Sequence, residues 1–374
     1  MDKLGLIILA GGLSTRMGQP KALLSWVGGE SLISHALRKG LDADVHDILI
    51  SIGDDEQLGH AIQTHIIDTL SNDEQEKVSI VRDSIERCGP LGGLYSTLAV
   101  GPSPAYAVMA VDMPFMEMDL YFDWLYQVEH NDWNAIVPYG ESGKKEPMAG
   151  IYRTHIASLI QSVLVGEDMS LHHALDVIGH VEPVDASDYT WELSNINRFE
   201  DYQWARALAE NEFRRVPLIS VVASKRKTGK TTVVTRLVSE LQRVGLSVGV
   251  VKSDKHGFQM DYDGTDTDLM YKAGADAVAI AGPTETAIRI RTKEQSNLYD
   301  LTQHMPVDIV ILETRSQGIA PIIEVTQEGH TEELISDDMD RVATIEIGKL
   351  DQDVPELVRH IQEMMRCLHG RRYC

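Results

Sequence analysis

Positive charge is scarce in this chain: across 374 residues, 34 lysines and arginines stand against 57 aspartates and glutamates, a net charge of −23. A surface that acidic repels polynucleotide phosphates and anionic lipid heads, so neither nucleic acid nor membrane is an expected partner. Any anionic ligand must be caught by a local basic cluster. Cysteine is nearly absent. Cys88, Cys367 and Cys374 form no CxxC pair and are too few for a disulfide framework, which fits a reducing cytoplasm. No uncharged apolar run approaches the roughly 20 residues that a membrane helix needs. Met1-Asp2-Lys3 leads into a short strand-like run, without the h-region of a signal peptide. Tandem repeats and low-complexity tracts are missing too. The expectation is a soluble cytoplasmic protein.

What the chain does have is alternation. Short β-rich apolar runs and helical patterns follow one another throughout, as parallel βαβ construction requires. The strand candidates are GLIILA, DILISI, VSIV, AYAVMAV and NAIVPY, then LISVVAS, LSVGVVKS, AVAIA, AIRIR, DIVILE and VATIEI. The length suffices for two cores. Between the two sets, FEDYQWARALAENEFRRVP reads as a closing helix followed by a linker at Arg214-Arg215-Val216-Pro217, since helices rarely run through a residue preceding proline. The expectation is an α/β protein of two domains, 1–213 and 217–374, each a mainly parallel sheet with flanking helices.

Each half opens with a strand and a phosphate-type loop. In LAGGLSTRMGQPK, Leu9 to Lys21, the adjacent Gly11-Gly12 do not make the G-x-G-x-x-G of a dinucleotide fold, and no Gly-Lys-Ser/Thr is present. The remaining reading is a loop wrapping a nucleoside triphosphate. Backbone amides of Ala10 to Leu13 would face the outer phosphates, and Arg16 and Lys21 would supply charge. Asp112 follows the strand AYAVMAV, where ligands of open α/β sheets bind, and a carboxylate there can hold Mg²⁺ against phosphates. The alternative for Asp112 is a helix N-cap. His172 and His173 are helix neighbours that cannot face one metal, so they read as helix surface.

L-A-G-G-x-S-x-R-M-G-x-x-K resembles the signature of the nucleotidyltransferases that build the molybdenum cofactor. CGPLGGL (Cys88 to Leu94), VDMP (Val111 to Pro114) and NINRFED (Asn195 to Asp201) follow in the order of that family, with Phe199 where proline is usual. The resemblance implies a Rossmann-like nucleotidyltransferase domain. Its nucleotide-binding residues would be Leu9, Ala10, Gly11, Gly12, Lys21, Asp83 and Asp112, its catalytic residues Arg16, Lys21 and Asp112, and its metal ligand Asp112. Asn195 and Asn197 would serve the pterin or a second site, although both also suit a turn.

VVASKRKTGKTTVVTRL ends a strand and starts a helix. Measured against G-x-x-x-x-G-K-[ST] it keeps Gly229, Lys230 and Thr231, followed by Thr232, with Ser224 in place of the first glycine. Lys230 would reach the outer phosphates and the Thr231 hydroxyl would join Mg²⁺. Lys252, His256, Asp261, Asp263, Gly264, Asp266, Thr267 and Ala273-Gly274-Ala275 resemble the P-loop adaptor that accompanies molybdenum-cofactor guanylyltransferase. Glu313 matches an acidic metal position of that family, while Thr314 and Arg315 depart from its pattern. The resemblance implies a P-loop NTPase-like domain that binds GTP and forms a homodimer; with Ser224 and Thr314 off its pattern, the expected hydrolysis is slow at best.

Together the halves imply transfer of GMP from GTP, with Mg²⁺, to molybdopterin as acceptor. Other molybdenum-cofactor proteins and recipient apo-enzymes are the implied protein partners. Pro20-Lys21 resembles the cytidylyl branch of the superfamily, whereas GPLGGL, the N-x-N ending and the adaptor half resemble the guanylyl branch. A sugar-1-phosphate nucleotidyltransferase shares the first loop but gives no reason for the P-loop half. A P-loop GTPase metallochaperone with a non-catalytic first half is the rival from another class.

Overall fold

The computed structural model describes residues 4–11, 20–85, 88–128, 132–166, 168–225, 227–253, 262–293, 296–315, 318–327 and 334–372. Gly12, Arg16, His256 and Asp261, to which the sequence assigns functional positions, lie outside the described residues. The chain divides into two compact units, Met1–Tyr202 and Gln203–Cys374.

In the first unit seven strands form one sheet: β1 (Leu4–Leu9), β2 (Ile48–Ser51), β3 (Val78–Val81), β4 (Ala105–Ala110), β5 (Ala135–Tyr139), β6 (Ile151–Arg153) and β7 (Val181–Asp185), in the order β3-β2-β1-β4-β6-β5-β7. Every pairing is parallel except those of β6, which runs antiparallel to β4 and β5. All six residues of β1 are buried, because helices cover both faces of the sheet. Ile7, Leu9, Leu49 and Val108 pack with Leu91, Leu94 and Leu98 of the helix Gly89–Val100 and with Ile160, Val163 and Leu175 of the two helices beyond it. Leu6 and Ile48 face the helix Leu32–Asp42, where a Cβ on Gly40 would lie 2.6 Å from Leu6 Cδ2 and 2.9 Å from Ile48 Cδ1.

The second unit holds a parallel sheet of β8 (Leu218–Val222), β9 (Val248–Lys252), β12 (Ile309–Glu313), β13 (Ile322–Thr326) and β14 (Arg341–Glu346), in the order β14-β13-β8-β12-β9. β10 (Ala277–Ala281) and β11 (Thr286–Ile290) form a separate antiparallel ribbon. Val233, Val234, Leu237 and Leu241 make the buried stripe of the helix Lys230–Arg243 at helical spacing.

Three sequence expectations are corrected. AVAIA and AIRIR are strands, but of the ribbon and not of the parallel sheet. β6, β7 and β13 are not among the strand candidates: three residues are too short for a period, VEPVD carries Pro183 and charges, which an edge strand tolerates, and IIEVT follows directly on Pro321. Arg214 to Pro217 is no solvated linker. Arg214 and Val216 are buried, Arg214 Nη1 donates to Asn211 Oδ1 at 2.9 Å, and Val216 N donates to Gln303 Oε1 at 3.1 Å. The division between the units falls earlier, inside the helix Phe199–Glu212.

Candidate functional site

The strand order of the first sheet fixes where a ligand crevice forms. From β1 the chain steps outward to β2 and β3 on one side, then returns to β4 on the other. That reversal is a topological switch point, and its crevice lies at the carboxyl ends of β1 and β4. There Val111 N donates to Leu9 O at 3.0 Å, setting Asp112 beside the end of β1. Lys21, in the single turn Lys21–Leu23, places Nζ 2.8 Å from Asp112 Oδ2. The two residues are 91 positions apart in sequence. Asp112 is not a helix N-cap, because the next helix begins at Met118 behind Glu117.

The turn after Asp112 is held from behind. Lys39 Nζ donates to Pro114 O and Met116 O, both at 2.7 Å, and to Glu117 Oε1 at 2.8 Å. His35 Nε2 contacts Pro114 O at 3.1 Å, and burial, with the Lys39 charge adding to it, lowers the His35 pKa to about 4. Trp26 packs against His35 and Tyr202 at tilted angles and against Phe115 edge to face. Lys39 and this aromatic support escaped sequence reasoning, for no motif connects residue 39 with residues 114–117. Ile196 N donates to Asp112 O at 2.9 Å, bringing the N-x-N segment to the crevice. Asn195 Oδ1 is buried with no hydrogen-bond partner, and Asn197 is exposed.

On the β2 side the glycines have structural work. A Cβ on Gly11 would lie 2.5 Å from Gly53 N, and one on Gly93 would lie 2.5 Å from Ser51 Oγ. Ser51 Oγ donates to Asp83 Oδ1 at 3.0 Å. Burial raises the Asp83 pKa above the ordinary carboxylate value against that hydrogen bond. The expectation that amides from Ala10 onward face phosphate is corrected in part: Ala10 N and Gly11 N donate to Ser51 O at 2.8 and 2.9 Å. Those donors are satisfied inside the sheet, where the ladder continues past the end of β1.

In the second unit the loop after β8 borders a cavity of about 560 Å³ lined by Gly229, Lys230, Thr231, Lys252, Glu313 and Arg315, among others. Lys227 and Gly229 take positive φ, 61° and 95°, which turns the backbone around the loop. Glu313, at the end of β12, accepts Thr231 Oγ1 at 3.1 Å and Lys252 Nζ at 2.9 Å. Burial lowers the Lys230 pKa; Glu313 opposes the shift, and Arg315 and Lys252 add to it. In a chain of net charge −23 this is the local basic cluster that an anion requires. Thr232, also assigned to this loop, lies in the first turn of the helix that follows it. His172 and His173 are exposed on the helix Leu171–Ile178, and no group of three or more metal-ligating His, Cys, Asp or Glu occurs among the described residues.

Residues 6–179 match the family model described as "MobA-like NTP transferase domain", and residues 218–346 match "Molybdopterin guanine dinucleotide synthesis protein B". Among curated proteins, "Probable molybdenum cofactor guanylyltransferase" of Bacillus cereus (strain G9842) is 28% identical over 215 residues, covering 57% of this chain and 100% of the relative. The protein of the same name from Bacillus thuringiensis (strain Al Hakam) gives the same identity and coverage. Among solved structures, molybdopterin-guanine dinucleotide biosynthesis protein A from Archaeoglobus fulgidus aligns at 18% identity and a TM-score of 0.46, covering 55% of this chain and 98% of that one. A MobB protein homolog from Bacillus stearothermophilus aligns at 18% identity and a TM-score of 0.29, covering 39% and 98%.

Proposed function

We propose, for a chain that carries a MobA-like NTP transferase domain in its N-terminal half and a MobB domain in its C-terminal half, that both halves serve one step of molybdenum-cofactor synthesis. The first half transfers GMP from GTP to molybdenum-loaded molybdopterin, giving the guanine dinucleotide cofactor and pyrophosphate. The second half binds GTP, hydrolyses it slowly at best, and assists delivery to recipient apo-enzymes and other molybdenum-cofactor proteins in the cytoplasm.

One observation carries this reading: Lys21 and Asp112 meet at 2.8 Å over the switch point of the sheet. A phosphate monoester has its second pKa at about 6 and is largely dianionic at neutral pH, so it attacks the α-phosphorus without a general base. Lys21 draws the leaving phosphates into line, and catalysis is positioning with charge neutralisation. Asp83 offers the nucleotide an acceptor on the β2 side. Asn195, whose buried Oδ1 has no hydrogen-bond partner, and Asn197 are the residues assigned to the acceptor substrate.

The residues fit a divalent cation. At Asp112 the Lys21 ammonium already stands as a cation on a carboxylate oxygen, and Thr231 with Glu313 repeats a hydroxyl–carboxylate pair suited to Mg²⁺. When bound, Mg²⁺ neutralises triphosphate charge at either site.

The ribbon supports a homodimer through the second half. Ala277, Ala279, Ile288 and Ile290 share one face of it and all are exposed, with Ile288 at 62% and Ile290 at 63%. The other face is held to the helix Asp266–Lys272, with the Arg289 guanidinium 3.7 Å from the Tyr271 ring centroid, and a second copy would cover the exposed face.

The test is direct. Purified protein with GTP, Mg²⁺ and loaded molybdopterin should release pyrophosphate and dinucleotide, with GTP outcompeting CTP. Absence of both products removes the enzyme reading.

A further inference from the structure

Each phosphate site keeps a lysine on the carboxylate assigned to the metal. At the end of β4, Lys21 Nζ lies 2.8 Å from Asp112 Oδ2; at the end of β12, Lys252 Nζ lies 2.9 Å from Glu313 Oε1. The two pairs are built by unrelated routes. Lys21 comes from a single turn in the segment after β1, whereas Lys252 closes β9 and is the register partner of Glu313 on the neighbouring strand. Both carboxylates are largely buried, with side-chain exposures of 17% and 8%. A buried carboxylate has to be paired with a cation, and in both sites an ammonium meets that need before any ligand arrives. A divalent ion would claim the same oxygens.

Resting on the metal reading above, we propose that Lys21 and Lys252 are resident counter-cations that keep divalent metal off Asp112 and Glu313 until nucleotide phosphate draws the ammonium away. Metal alone would have to displace an ammonium into water, without the compensation that a phosphate partner gives. Nucleotide supplies that anion, so metal and nucleotide bind each site as an interdependent pair. By linkage, the factor by which nucleotide tightens metal binding equals the factor by which metal tightens nucleotide binding. The device also prevents a bare divalent ion from closing either crevice ahead of its substrate.

The experiment titrates Mn²⁺ into the full-length protein with and without GTP, following the paramagnetic resonance signal of the free ion. Wild type should bind Mn²⁺ weakly alone and tightly with GTP. Lys21→Met and Lys252→Met should each gain a nucleotide-independent Mn²⁺ site about tenfold tighter than wild type. Adding Asp112→Asn to the first variant, or Glu313→Gln to the second, should abolish the gain. Each lysine variant must keep the circular dichroism and cooperative thermal melt of wild type, which guards against misfolding of the altered unit. If Asp112→Asn and Glu313→Gln each weaken Mn²⁺ binding with GTP, yet neither lysine variant gains a nucleotide-free site, the counter-cation proposal alone is overturned. If both carboxylate variants leave Mn²⁺ binding with GTP unchanged, the metal reading is overturned and the proposal with it.

Discussion

Gly11 illustrates how one residue answers to two demands. The loop motif explains it by close approach to phosphate, but its missing Cβ also admits the backbone of Gly53, whose nitrogen would lie 2.5 Å from an added carbon. Neither backbone segment can yield as a flexible side chain would. Gly11→Ala should therefore cost about 1–3 kcal/mol of stability, read as a lower midpoint in chemical denaturation. Lys21→Ala should act first on rate, with a smaller loss of stability because Asp112 is left without its ammonium partner. Losing one preorganised charge at the phosphates should slow GMP transfer on the order of a hundred- to a thousand-fold, measured as pyrophosphate release. Lys230→Ala should leave that transfer in place and abolish GTP binding in the second half. If only Lys230→Ala removed function, the metallochaperone alternative would stand instead.

Among elements, the helix Leu32–Asp42 has the clearest functional consequence, since Lys39 and His35 on it grip the turn that follows Asp112. His35 is held neutral by burial with its pKa at about 4, against 6.5 for an ordinary histidine; Lys39 adds to the shift and Glu30 opposes it. The unfolded chain thus takes up a proton as pH falls below 6.5 while the folded chain does not, so the contribution of His35 to stability is complete above 6.5 and lost on descent to about 4. His35→Gln keeps a donor for Pro114 O and removes the titration. Thermal melts between pH 4 and 6.5 should be flatter in this variant than in wild type. The element types explain what was legible here. β1, β4, β8 and β12 are continuous apolar runs because helices cover the sheet on both sides, and such runs are readable one segment at a time. β6 reverses direction over three residues, and nothing local records a strand's direction.

At the scale of the whole molecule the exposed apolar ribbon gives the sharpest expectation. Ile288→Glu places a charge on the face that a second copy would cover. Sedimentation should show wild type as a dimer and this variant as a monomer, with GMP transfer by the first half retained. The sequence alone offered a phosphate-loop reading for each half, because Gly-Gly, Arg, Lys and Gly-Lys-Thr are local patterns legible from neighbours in the chain. It likewise determined two α/β halves, since burial on both faces of a sheet writes a continuous apolar run into each central strand. Tertiary structure alone decided which carboxylate meets which lysine, that Ala10 and Gly11 give their amides to Ser51, that Lys39 grips the turn beyond Asp112, and that β10 and β11 stand apart. The physical reason is distance along the chain: ion pairs, strand direction and close backbone approach join residues tens of positions apart, and their partners are set by the spatial order of the strands in each sheet.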